Sequence, residues 1–116
     1  MVAVARRQNP VATFHVGLAE LLPLPDASVD LALSTTSFHH WRDQAAGVRE
    51  VARVVCPGGH FLLADVALPS WVLRLLRGGR GLSPSARETL LTAAGWRVLE
   101  QRPVVYRAVI ATLAVR

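Results

Sequence analysis

Between residues 29 and 66 the hydrophobic period changes twice, and this restricts the fold more than any other feature of the chain. Residues 29–34 alternate, with Val29, Leu31 and Leu33 on one face of an extended segment and Asp30, Ala32 and Ser34 on the other. From Asp43 the spacing becomes helical. Val48, Val51, Ala52 and Val55 fall at i, i+3, i+4 and i+7, while Arg49, Glu50 and Arg53 take the opposite side. Cys56-Pro57-Gly58-Gly59 ends that helix, because proline cannot continue the ladder and glycine admits positive φ. Residues 60–66 then run as a largely apolar strand. Strand, crossover helix and strand form a βαβ unit, whose strands should pair in parallel through a right-handed crossover. The predicted class is therefore α/β.

The flanking segments extend this unit. Residues 1–8 read as the tail of a helix stopped by Asn9 and Pro10, so the chain opens in mid-element. Residues 13–17 are a short β-branched and aromatic run that predicts a strand. Residues 68–76 predict a short helix ending in Gly78-Gly79-Arg80-Gly81. Ser83-Pro84 supplies a cap and a first-turn proline for another helix, which turns Leu90, Leu91 and Ala94 inward and stops at Gly95. Residues 96–101 and 104–115 read as two strands joined by a turn at Arg102-Pro103, close enough to be antiparallel neighbours. With 116 residues and no internal repeat, the chain has material for one domain.

Composition excludes several classes. At 52% hydrophobic and 18% charged, the chain is too apolar for disorder. Its longest apolar stretch, 61–76, is broken by Asp65, Pro69 and Arg74, short of the roughly 20 residues of a membrane span. Arg6, Arg7, Asn9 and Pro10 stand where a secretory signal would be apolar, so a cytoplasmic location is expected. Cys56 is the only cysteine, which excludes an internal disulfide framework and fits a reducing compartment. The net charge of +5 is carried by arginine alone, with no lysine. These arginines are spread along the chain without a recognition motif or an aromatic platform, which argues against a nucleic-acid partner.

Ligands of open α/β sheets bind beyond the carboxyl ends of the strands. The most unusual residues fall there. Ser34-Thr35-Thr36-Ser37-Phe38-His39-His40-Trp41 brings hydroxyls, two imidazoles and an indole together after a strand, a mixture suited to holding a polar ligand or moving a proton. Either histidine could instead cap the following helix or bond a carbonyl. A zinc site is not supported, because adjacent histidines diverge and no further ligand stands at useful spacing. Gly58-Gly59 lies between a helix and a strand, the reverse of a phosphate cradle. No Gly-x-Ser-x-Gly elbow exists to make a serine nucleophilic.

Five segments in this order and spacing resemble the middle of a class I S-adenosylmethionine-dependent methyltransferase of the type 11, small-molecule branch. They are Phe14-His15-Val16-Gly17-Leu18-Ala19-Glu20, Leu22-Pro23-Leu24-Pro25-Asp26-Ala27-Ser28-Val29-Asp30, Phe38-His39-His40-Trp41, Arg49-Glu50-Val51-Ala52-Arg53-Val54-Val55, and Pro57-Gly58-Gly59. Residues 90–96 resemble the family's last helix and its exit. The resemblance implies a partial Rossmann-like methyltransferase sheet, mostly parallel with a C-terminal antiparallel hairpin and helices on its faces. Residues 1–116 would be a single such domain matching the third to seventh family strands, lacking the first two and the glycine-rich cofactor loop.

By the same resemblance the cofactor is S-adenosylmethionine, with Leu18, Ala19, Glu20, Ser34 and Thr35 at its site. Leu18 departs from the family, which usually has an aspartate there to accept from the adenine amino group. His39, then His40, are the implied general bases, and Phe38 and Trp41 shape the pocket of a small-molecule methyl acceptor. A rival reading is a non-catalytic remnant or interaction module that keeps the sheet. Without its first family strands, 29–34 becomes an open edge that invites a second copy, and 13–17 loses its neighbour and must pair elsewhere or stay loose. A dehydrogenase is a distant third, since no glycine fingerprint follows a strand.

Overall fold

The βαβ unit expected from the change of period is present. In the computed structural model, which describes residues 2–66, 71, 75, 83–104 and 109–116, β1 (Val29–Thr35) leads through a 3-10 turn (Phe38–His40) and α2 (Gln44–Val54) into β2 (Val55–Val66). The strands pair in parallel, from Leu31 beside His60 to Thr35 beside Ala64. α1 (Val2–Gln8) precedes them, and α3 (Pro84–Ala93), β3 (Arg97–Val104) and β4 (Val109–Val115) follow. The sheet order is β1-β2-β4-β3, with β4 antiparallel to both neighbours. The last strand thus inserts beside β2 and pushes β3 to the rim.

Local chemistry fixes the helices. Asp43 caps α2 by accepting from the Ala46 amide at 3.0 Å, and Ser83 does the same for α3 from Ala86 at 3.2 Å. Gly95, at φ +94°, lets the chain leave α3 and seat Trp96. α2 presents Val48, Val51 and Ala52, and α3 presents Leu91, to Phe61, Leu63 and Ala114 on one face of the sheet. Trp96 closes this core, its Nε1 donating to the Val48 carbonyl at 3.2 Å.

That face is covered. The other carries Leu31 and Leu33, Leu62 and Ala64, and Ala111 and Leu113 in cross-strand register, and Leu31 and Leu33 are 60% and 62% exposed. Among the described residues no helix lies over it.

Three expectations are corrected. Residues 13–17 do not form a strand but an exposed irregular segment, with Val16 80% exposed. A lone run of five has no ladder to satisfy its backbone, so propensity alone does not hold it extended. Arg102-Pro103 is not a turn, because β3 continues through it and Pro103 lies opposite Ile110. The missing amide is tolerated there because β3 is an edge strand whose outer side needs no donor. The helix ends at Val54, earlier than read, and Cys56-Pro57-Gly58-Gly59 forms an irregular excursion within β2, where the register jumps from Val55 to His60 against β1. Gly59 is required at that excursion, since a Cβ would meet the Asp30 carbonyl oxygen at 2.8 Å and Val55 Cγ1 at 2.5 Å. The helix expected at 68–76 lies outside the described residues except for Trp71 and Leu75, both helical, and the 78–81 loop lies outside them altogether.

Candidate functional site

Because β1 and β2 are parallel, their carboxyl ends open side by side, and the segment after β1 must turn across them. Thr36 makes that turn at φ +52°, a strained value for a β-branched residue, and its amide donates to the Ala64 carbonyl at 2.8 Å. The 3-10 turn follows at once. Gln44 Nε2 holds it by donating to the Phe38 carbonyl at 3.1 Å.

A cavity of about 410 Å³ lies beside this turn. Ala32, Ser34 and Thr35 of β1 form its floor, Trp41, Val51 and Phe61 its inner wall, and Ala19 and Leu22 its outer wall. The Ser34 and Ser37 hydroxyls are 3.0 Å apart. A hollow of about 470 Å³ lies between Arg6 and residues 10–15, but Arg6 donates to the Phe14 carbonyl and the segment is largely exposed. The smaller cavity has the better claim, since it lies at the strand ends where α/β sheets bind ligands.

The outer wall is tied to α2 at both ends. Glu20 accepts from the Asp43 amide at 2.8 Å, which holds its carboxyl below the usual range. Glu50 accepts from the Leu22 amide at 2.7 Å, while Arg53 reaches Glu50, Asp26 at 2.7 Å and the Leu22 carbonyl at 3.1 Å. The bond from Arg53, with the Leu22 amide and the cation's charge adding to it, keeps the Glu50 carboxyl low, and the same carboxylates raise the Arg53 guanidinium.

Beyond the cavity wall the structure pairs His39 with an aspartate. His39 Nδ1 lies 2.7 Å from Asp65 Oδ1, with Asp65 1% exposed. The exposed His40 ring lies 4.0 Å from that of His39, centroid to centroid. Phe38 is buried in the core and meets Trp41 edge-on at 5.0 Å.

The predicted residues are thus partly gathered. Ala19, Ser34, Thr35 and Trp41 line one cavity, whereas Leu18 is 52% exposed and bridges to Leu21, and Glu20 turns away to Asp43. Phe38 supports Trp41 from the core rather than lining the cavity. Leu22, Val51 and Phe61 are wall residues that the sequence does not single out as site residues, and Asp65 and Arg87, buried away from the cavity, are polar residues it does not single out either. Among the described residues no group of three or more histidine, cysteine, aspartate or glutamate side chains could hold a metal ion, and no helix is long and apolar enough to cross a membrane.

The family model described as Methyltransferase domain matches residues 1–63 of the 116, more than half of the chain. The chain belongs to this methyltransferase family. Methyltransferase relatives include the ubiquinone/menaquinone biosynthesis C-methyltransferase UbiE of Rubrivivax gelatinosus, 39% identical over 75 residues, 64% of this chain and 30% of UbiE. The uncharacterized protein YafE of Escherichia coli is 40% identical over 72 residues, 62% of this chain and 35% of YafE. The chain thus spans about a third of the length of these relatives. A solved S-adenosylmethionine-dependent methyltransferase from Mesorhizobium loti superposes on all of this chain and on 76% of its own, with a TM-score of 0.84 at 19% identity. The methyltransferase fold is therefore that of this chain as well.

Proposed function

We propose that this chain acts in methyl transfer from S-adenosylmethionine to a small organic acceptor. The observation that carries the reading is the cavity at the carboxyl ends of the parallel pair β1–β2, with His39 on the turn between them. The cavity residues suit a flat aromatic ring with a polar rim: Ala19, Leu22 and Val51 give apolar walls, and Ser34 and Thr35 give hydroxyls. These residues would hold the adenine end of the donor. Glu20, whose Oε1 accepts from the Asp43 amide, does not line that cavity.

When bound, the donor supplies a methyl group on a sulfonium, already a good leaving group. The protein's work is then alignment, which can account for much of the acceleration. Trp41 and Phe38 set the inner wall against which an acceptor would stack, Trp41 directly and Phe38 from behind. His39 takes the acceptor's proton at Nε2, since Nδ1 is occupied by Asp65. His40, exposed and ring to ring with His39, passes that proton to solvent. The lone, unbridged cysteine accords with a cytoplasmic setting.

Titration calorimetry with S-adenosylmethionine on the 116-residue chain tests the reading. Saturable heat that Ser34→Val and Ala19→Trp weaken supports it, and no heat at millimolar donor refutes it for this chain. His39→Ala should lower turnover by about 10²–10⁴-fold, the usual contribution of a positioned base, without weakening donor binding.

A second reading has its own observation. The exposed Leu31 and Leu33 and the open edge of β1 suit a module that pairs with a second copy of the chain. Sedimentation distinguishes the two: a dimer that Leu33→Lys dissociates, together with silent calorimetry, favours the interaction module.

A further inference from the structure

Beneath His39 lies a pair of buried charges that the cavity does not explain. Asp65 is the one acidic residue in β2, otherwise apolar around it, and its Oδ2 is buried with no hydrogen-bond partner. Arg87, on the inner face of α3, is likewise 1% exposed. Its Nη1 donates to the Ile110 carbonyl at 2.9 Å and lies 3.4 Å from Thr112 Oγ1, while its Nε has no partner. Ile110 is the cross-strand neighbour of Asp65, so cation and anion are brought over the same part of the sheet. Burial draws the guanidinium below its ordinary range, and the Asp65 charge works against that.

Each ion alone would be expensive in this place, because an uncompensated buried charge costs several kcal/mol. Together they supply each other's counter-charge. When ionised, the Asp65 carboxylate only accepts hydrogen bonds, and the nitrogen 2.7 Å from it then carries the proton. A neutral imidazole in that pairing is the Nδ1–H tautomer, with Nε2 bare.

We propose that Asp65 and Arg87 are positioning residues for His39, the guanidinium serving as counter-ion to the buried carboxylate, and the carboxylate holding the imidazole proton on Nδ1 so that Nε2 is presented as the basic nitrogen. The proposal rests on the reading of His39 as proton acceptor, but its test needs no turnover.

The experiment is long-range proton–nitrogen correlation NMR of the ¹⁵N-histidine-labelled chain at a pH where His39 is neutral. The native protein should show His39 as the Nδ1–H tautomer. Asp65→Asn, nearly isosteric and uncharged, should populate the Nε2–H form. Arg87→Met should do so in part, and Arg87→Lys, which keeps the charge, should restore the native tautomer. Native His39 in the Nε2–H form overturns the proposal without any substitution, so it stays decidable if the variants fail to fold. A folded Asp65→Asn variant with lowered stability and an unchanged tautomer also overturns it and leaves Asp65 a packing residue. Silent calorimetry with S-adenosylmethionine would instead remove the methyl-transfer reading and leave the tautomer result standing.

Discussion

Gly47 lies buried in the first half of α2, where helix propensity alone favours alanine by about 0.8–1.0 kcal/mol. The structure reverses that expectation. A Cβ at position 47 would lie 2.4 Å from Cε3 and 2.8 Å from Cζ3 of Trp41, ring atoms that cannot yield by a small rotamer change. Overpacking of this kind costs about 1–3 kcal/mol. Set against the propensity gain, Gly47→Ala should destabilise by roughly 1 kcal/mol, a fall of about 4 °C in Tm for a domain of this size. In a Trp41→Ala background the clash is gone and the substitution should stabilise by about 1 kcal/mol. Urea unfolding followed by far-ultraviolet circular dichroism on the four proteins of this cycle gives the coupling directly. Stabilisation by Gly47→Ala in both backgrounds would show that Trp41 does not press on α2, and the inner wall of the cavity as described would be wrong.

Other substitutions test other parts of the structure. Trp96→Ala removes the residue that seals α2, α3 and the sheet, and should cost about 3–5 kcal/mol in equilibrium denaturation, with Trp96→Phe well short of that. Thr36→Gly relieves a positive-φ conformation and should raise stability by about 1 kcal/mol by thermal melting; a lower Tm would mean the turn is not strained. The Glu50 carboxyl sits below its ordinary value of 4.5, so it favours the folded form fully above that pH and progressively less as pH falls through its folded-state value. Hydrogen exchange at the Leu22 amide should therefore accelerate in acid beyond the intrinsic rate, and Glu50→Gln should remove much of that acceleration.

Much of this was legible because periodicity reports burial. The helical pattern at 48–52 meets one buried stripe along its length, whereas the period-two run at 29–34 identified the strand but not its covered face, since Leu31 and Leu33 lie exposed and Ala32 packs against the core. The run at 13–17 has strand propensity but no neighbour, and propensity without a partner decides nothing. Pro103 read as a turn because sequence does not reveal which strand is an edge. The partners of His39 were missed for a different reason. Asp65 registered only as a charge interrupting an apolar run, although a lone carboxylate in an apolar strand demands a buried partner. Arg87 shares the spacing of Leu90, Leu91 and Ala94, which places it on the inward face of α3. Both clues were present in the letters, but linking them requires the register that brings Ile110 beside Asp65.

The strand order also governs how the molecule can be made. β4 forms between β2 and β3, so while the ribosome is still adding residues after β3, the inner edge of β2 has no ladder and β3 has nothing to pair with. The αβ unit from β1 to β2 can assemble early, but the sheet closes only when β4 emerges, and until then its hydrophobic edge is a target for chaperones or for a neighbouring nascent chain.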